Sequence, residues 1–263
     1  MMTDLFRTRD HVADFDGYLT RFIERSASSR AALRNKLDVA YGEGPDERLD
    51  LFFPEAMRTP AAVHLFVHGG YWRMFSKSDY SYVADTVTQA GAIAAIMDYS
   101  LMPAVRMETI VRQVSRAVDW LKTNAATFGG DADRLSVSGH SAGAHLCAML
   151  LSQGSLGPSP RALLLSGVYE LGPLRSSFLQ PQIGITEDEV ERFSPLGLDL
   201  APAETARILV GDKETGPFHM QAQDLAEKLK TSVEVIPGNH MSVVLDLGDS
   251  NAPAGKALFE ICS

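Results

Sequence analysis

Apolar positions recur along this chain in two alternating rhythms. From about residue 37 onward, short apolar runs that read as strands alternate with longer segments whose apolar residues return every three or four positions. LDVAYG (37–42) and RLDLFFP (48–54), separated by the turn signals of GEGPDE, predict an antiparallel opening pair. AAVHLFV (61–67) is almost continuously apolar, as expected of a strand covered on both faces. GAIAAIM (91–97), RLSVSG (134–139), ALLLSGV (162–168), ARILVG (206–211) and SVEVIP (232–237) repeat that character.

The clearest helical rhythm lies in METIVRQVSRAVDWLKTNAATFGG (107–130). Met107, Ile110, Val111, Val114, Val118 and Leu121 form one apolar stripe, and Gly129 and Gly130 supply a C-terminal stop. PFHMQAQDLAEKLK (217–230) predicts a second helix with a stripe through Leu225 and Leu229. Repeated strand–helix–strand units imply an α/β fold: one mainly parallel sheet of about eight strands with helices on both faces. The whole chain, 1–263, reads as one such domain. Two segments fall outside the rhythm. Residues 1–36 predict a weakly helical N-terminal arm, and residues 171–205 are too long for an ordinary connection and predict a small lid.

Composition narrows the class. The 263 residues are 45% hydrophobic and 22% charged, enough for one large core. A net charge of −9, dispersed along the chain, argues for solubility and against general nucleic-acid binding. No apolar stretch approaches the ~20 residues of a membrane helix, and MMTDLFRTRDHVADF has no signal-like apolar core. The two cysteines, Cys147 and Cys262, form no metal-like cluster. They fit free thiols in a reducing compartment, and the chain is expected to be cytoplasmic and to need no metal or cofactor. Nothing in the pattern sets an oligomeric state.

The chemistry concentrates in GHSAGAH (139–145), of the form G-x-S-x-G. RLSVSG supplies a strand before Ser141 and AGAHLCAMLL a helix after it, the arrangement of a nucleophile elbow. A serine in so sharp a turn needs small neighbours, because side chains at Gly139 and Gly143 would collide with the adjoining strand and helix. The helix N-terminus then directs free amides toward the reacting centre. A glycine-flanked turn carrying an idle serine is the alternative.

GHSAGAH together with HGGYW (68–72) resembles the α/β-hydrolases of the hormone-sensitive-lipase-like group, in the branch of kynurenine formamidases and related bacterial esterases. The likeness runs from LDVAYG through NHMSVV (239–244), and MDYSLMP (97–103) resembles the segment after that group's next strand. The resemblance implies an oxyanion site built from the amides of Gly70, Tyr71 and Ala142, with Gly69 shaping the turn or donating instead. His68 would anchor the loop. Trp72 and Phe75 would line the acyl pocket or pack as core, and Met241 would face the substrate.

The nucleophile needs a base. In this fold the order is Ser, then Asp or Glu, then His in a loop after the last strand, which selects His240. His219, His145, His11 and His64 lack that context. For the acid, GDKET (211–215) offers Asp212 and Glu214. The group's spacing, three residues beyond the glycine and four before the phenylalanine of PFHMQ, favours Glu214. The implied activity is hydrolysis of a small acyl ester or aryl formamide through an acyl-enzyme, with a small-molecule acyl substrate as the partner. TGPFHMQ and Met241 depart from the group's E-F-H-R-Q and N-H-F, which weakens the case for N-formylkynurenine itself. Thioester hydrolysis uses the same apparatus. A non-catalytic ligand-binding protein on this fold is the remaining reading.

Overall fold

The computed structural model describes residues 4–157, 160–200, 203 and 205–263. Its strands are β1 (Arg34–Ala40), β2 (Arg48–Phe53), β3 (Ala61–Val67), β4 (Ile93–Met97), β5 (Gly130–His140), β6 (Arg161–Leu165), β7 (Arg207–Gly211) and β8 (Val233–Ile236). They form one sheet in the order β1-β2-β4-β3-β5-β6-β7-β8. β2 runs antiparallel to both β1 and β4, and every other pairing is parallel. The expected α/β sheet with an antiparallel opening pair is therefore present.

Because side chains alternate across a strand, the apolar runs fill two cores at once. Val63, Leu65 and Val67 of β3 enter one core, while Ala62 and Phe66 enter the other. Ile93, Ala95 and Met97 of β4 divide from Ala94 and Ile96 in the same way. The helices are α1 (Thr8–His11), α2 (Phe15–Ala32), α3 (Val83–Gln89), α4 (Met107–Asn124), α5 (Ala142–Ser152), α6 (Gln180–Ile183), α7 (Glu187–Phe193), α8 (Gly216–Leu229), α9 (Ser242–Leu245) and α10 (Pro253–Cys262). α4 buries all six residues of its stripe. α4, α5 and α8 cover one face of the sheet, and α3 and α10 the other. β8 departs from the expected burial: it is the sheet edge, and Val235 is 59% exposed.

The segment 171–205 holds α6, α7 and short turns, with residues 201, 202 and 204 outside the described set. Thr186 and Glu189 form a capping box on α7, and Glu189 also pairs with Arg106 at the start of α4. The N-terminal arm, described from residue 4, contributes α1 and α2 and ends where β1 begins at Arg34.

α5 lies so close to the sheet that its glycines have no room for a methyl group. A Cβ on Gly143 would overlap the Val67 carbonyl of β3 and stand 2.7 Å from the His68 carbonyl; on Gly139 it would stand 2.7 Å from the Ala144 nitrogen. These neighbours are backbone and cannot rotate away. Gly143→Ala is therefore expected to cost about 3 kcal/mol or more of stability, read as a lowered Tm and soluble yield. Gly197→Ala, where a Cβ meets nothing within 4 Å, is the matched control. Equal Tm values for the two variants would refute the close-approach argument.

Candidate active site

The site assembles at the C-terminal ends of β3, β5, β6 and β7, where loops leave the sheet. Ser141 follows β5 directly and heads α5 with φ 55° and ψ −119°. A non-glycine residue there carries backbone strain of ~1–3 kcal/mol, sustained only when the surroundings over-determine it. Ser141 N–H donates to the Leu165 carbonyl at 2.9 Å, and its carbonyl accepts from His145 N–H at 3.1 Å. The serine is 2% exposed.

HGGYW turns tightly beside it. A Cβ on Gly69 would lie 3.0 Å from the His140 carbonyl and 3.2 Å from Ser141 Cβ, so this loop abuts the serine. Gly70 has φ 105°, and Tyr71, Trp72 and Phe75 are also left-handed, with φ of 51°, 57° and 73°. The loop holds this shape through Arg73 and Met74 N–H donating to the Gly70 carbonyl, and Met102 N–H donating to that of Trp72 at 2.7 Å. MDYSLMP thus supports HGGYW from below: Tyr99 Oη donates to the His68 carbonyl at 2.9 Å and its ring stacks on His68 at 4.3 Å. His68 Nδ1 donates to the Gly69 carbonyl at 2.7 Å, matching its expected anchoring role. Burial holds the His68 ring at a pKa of about 4, so it is neutral. The Gly70 and Tyr71 amides donate to no described residue, and Ala142, the first residue of α5, has no intrahelical acceptor.

His240 Nδ1 donates to Glu214 Oε2 at 2.6 Å. Glu214 Oε1 accepts from the Gly211 amide at 2.9 Å and from the Ser166 hydroxyl. Burial alone would raise the Glu214 pKa; the His240 charge and the hydrogen bonds from His240, Ser166 and Gly211 outweigh it and hold the carboxyl below its usual range. Asp212 is exposed and turned away, its Oδ1 accepting from the Gly238 amide at 2.8 Å. The His240 loop is fixed by Asn239, whose Oδ1 accepts from the amides of Met241 and Ser242 at 3.0 Å each. The His140 and Phe218 rings both lie 4.6 Å from the His240 ring. Burial first, then the neighbouring His240 charge, keeps His140 well below its ordinary pKa.

The structure therefore places His240, bonded to Glu214, against His140, the residue before Ser141, and sets the Gly69–Tyr71 loop against Ser141 itself. The other expected contacts lie elsewhere. Trp72 is fully buried with its ring 5.0 Å from that of His145, and Met241 sits in the core on the α3 and α10 face. Phe75 is half-buried and edge-on to Tyr80. His145 donates through Nε2 to the Phe193 carbonyl at 2.7 Å, and His64 lies buried between the Ser136 and Ser138 hydroxyls.

Three features had no clear sequence signal. Ser166 is one of many serines that follow a strand. Phe218 was legible only as a spacing marker. The third is the N-terminal segment, which crosses the site: Tyr71 donates to the Phe6 carbonyl, Thr215 to the Leu5 carbonyl at 2.6 Å, and the Phe178 amide to Asp4 Oδ2 at 2.5 Å. The Phe6 ring packs edge-on against Phe218. His11, which has no motif around it, lines a small cleft with Glu214 and His240.

The chain is similar in sequence and in fold to several known proteins. Residues 49–156 match the BD-FAE family. A kynurenine formamidase of Danio rerio is 29% identical over 250 residues, spanning 89% of this chain and 84% of that protein. An isoprenylcysteine alpha-carbonyl methylesterase of Arabidopsis thaliana is 31% identical over 179 residues, 60% of this chain and 42% of that protein. A crystal structure from Silicibacter sp. TM1040, provisionally described as a thioesterase, superposes with a TM-score of 0.84 at 28% identity, covering 100% of this chain and 99% of that one. Sheet order, elbow and relatives together define an α/β-hydrolase. Within that class the chain is similar to esterases and arylformamidases, and it is a hydrolase. Among the described residues no helix is long and apolar enough to cross a membrane.

Proposed function

We propose that this chain is a serine hydrolase that removes a small acyl group from an ester or an aryl formamide, with Ser141, His240 and Glu214 as its catalytic triad. The observation that carries the reading is the 2.6 Å bond from His240 Nδ1 to Glu214, formed beside a serine held in a strained elbow. That bond fixes the tautomer, leaving His240 Nε2 unprotonated and free to act as base. Nε2 takes the Ser141 proton as Oγ attacks the substrate carbonyl. The oxyanion rests on the amides of Gly70, Tyr71 and Ala142, each worth ~3 kcal/mol to the barrier. Collapse breaks the bond to the leaving amine or alcohol, which departs with the proton from Nε2. Water then attacks the acyl-enzyme, gives its proton to Nε2, and releases the acid as the proton returns to Ser141 Oγ.

The formamidase and methylesterase names of the relatives support formamide or short-ester chemistry; the provisional thioesterase description supports thioesters as a second reading. The segment 171–205 and the N-terminal arm act as covers of one domain in this proposal. Two buried free thiols, Cys147 and Cys262, support a reducing cytoplasmic setting.

The test compares N-formylkynurenine, 4-nitrophenyl acetate and acetyl-CoA, with Ser141→Ala as the blank. Turnover of the formamide or the short ester at rates far above the blank is the expected outcome. Turnover of acetyl-CoA alone would transfer the assignment to the thioester reading, and no turnover of any of the three would overturn the hydrolytic proposal.

A further inference from the structure

Beside the oxyanion loop lies a cavity of about 200 Å³ whose walls include Arg7, Arg9, Arg73, Tyr71, Phe15 and Phe178. In a chain of net charge −9, three guanidinium groups and no carboxylate line this one space. They are not equivalent. Arg9 is neutralised by Asp16, which accepts from it at 2.8 and 2.9 Å, and Arg7 sits 3.6 Å from Asp10. Arg73 forms no ion pair among the described residues, and its Nε is buried without a hydrogen-bond partner. A guanidinium that lines an open cavity with no carboxylate beside it keeps its charge and fork geometry for an acceptor from outside the chain.

The rest of the cavity says what that acceptor belongs to. Tyr71 and Phe178 stand edge-on, with ring centroids 5.6 Å apart, and the Arg7 guanidinium lies 5.9 Å above the Phe178 ring. Flat apolar walls with planar cations between them suit an aromatic ring bearing a carboxylate, which a guanidinium binds through paired N–H···O bonds. The cavity is also next to the chemistry. Tyr71 belongs to the oxyanion loop, and Thr8 lines both this cavity and the cleft that holds Glu214 and His240.

We propose that Arg73 is a specificity-determining residue that binds a carboxylate carried by an aromatic leaving group. The inference rests on the hydrolase reading above, since a small transferred acyl group leaves any recognised charge to the departing half. It gives the N-terminal segment a function too: Arg7, Thr8 and Arg9 form one wall of the subsite.

The experiment measures kcat/KM for 4-acetoxybenzoate and phenyl acetate, which share the acetyl group and differ by the carboxylate, in the full-length wild type, R73Q and R73K. The ratio of the two values is expected to fall about tenfold to a hundredfold in R73Q, the range of one lost charge-assisted hydrogen bond. R73K, which keeps the charge without the fork, should fall between. Inhibition by 4-hydroxybenzoate should weaken in R73Q by a similar factor. An R73Q ratio equal to that of the wild type, or equal losses on both esters with unchanged inhibition, would overturn the assignment of Arg73. A wild type inert toward both esters and toward N-formylkynurenine would overturn the hydrolase reading itself, and this proposal with it.

Discussion

Replacing Ser141 by alanine is expected to lower kcat by about a millionfold, the scale seen when a triad nucleophile is removed, while leaving the fold in place. The two halves of that result come from different observations. The elbow is held by backbone bonds, Ser141 N–H to the Leu165 carbonyl and His145 N–H to the Ser141 carbonyl, and alanine keeps both. The strained φ of 55° is borne by the backbone and passes unchanged to alanine. Tm should therefore stay within a few degrees of wild type as activity disappears. A fluorophosphonate should label the wild type at Ser141, giving a single adduct by mass spectrometry, and should leave Ser141→Ala unmodified. If the variant kept activity within tenfold of wild type, or took up label at another serine, the nucleophile would have to be sought elsewhere.

The second large effect separates two neighbouring carboxylates. Glu214→Gln should lower kcat about 10⁴-fold, because an amide can hold the imidazole in the wrong tautomer and no longer stabilises its cation. Asp212→Asn should stay near wild type: residue 212 is exposed, and an asparagine oxygen can still accept the Gly238 amide. A larger loss in Asp212→Asn than in Glu214→Gln would reverse the assignment. The pH dependence has a definite sign. The Glu214 carboxyl is held below its ordinary value of 4.5, so its ionised form stabilises the native state at and above that pH. That contribution is lost as pH falls through the depressed value. The Tm gap between wild type and Glu214→Gln should therefore be widest near neutrality and narrow in acid.

Much of this molecule was legible before folding. The two-sided apolar runs of β3 and β4, the six-residue stripe of α4 and the spacing of small residues around Ser141 are local patterns with one good solution each. GHSAGAH located the elbow because only glycine fits where α5 meets β3, a constraint visible as composition. Chain order pointed to His240 for a similar reason: the loop after the last strand is where this topology returns to the elbow. Glu214 and Asp212 were harder to tell apart. They lie two residues apart in a turn, and which of them faces inward depends on backbone geometry that residue type does not encode.

Other features were set only by contacts between distant parts of the chain. Sequence left Trp72 open between pocket and core and pointed Met241 toward the substrate; the packing of α5 and the loop after β8 turns both into the core. Ser166 meets Glu214 because β6 and β7 are adjacent in the sheet. The N-terminal segment carries no motif, since its role consists of backbone carbonyls at Leu5 and Phe6 that receive Thr215 and Tyr71 from more than sixty residues away. Arg73 reads in sequence as one more charge on a surface loop. The sequence alone determined the sheet, the elbow and the serine it carries, because periodicity and steric need are written in nearest neighbours. Tertiary structure alone decided which acid turns inward, which aromatics are walls and which guanidinium is left unpaired, because each of these depends on what the rest of the chain places opposite.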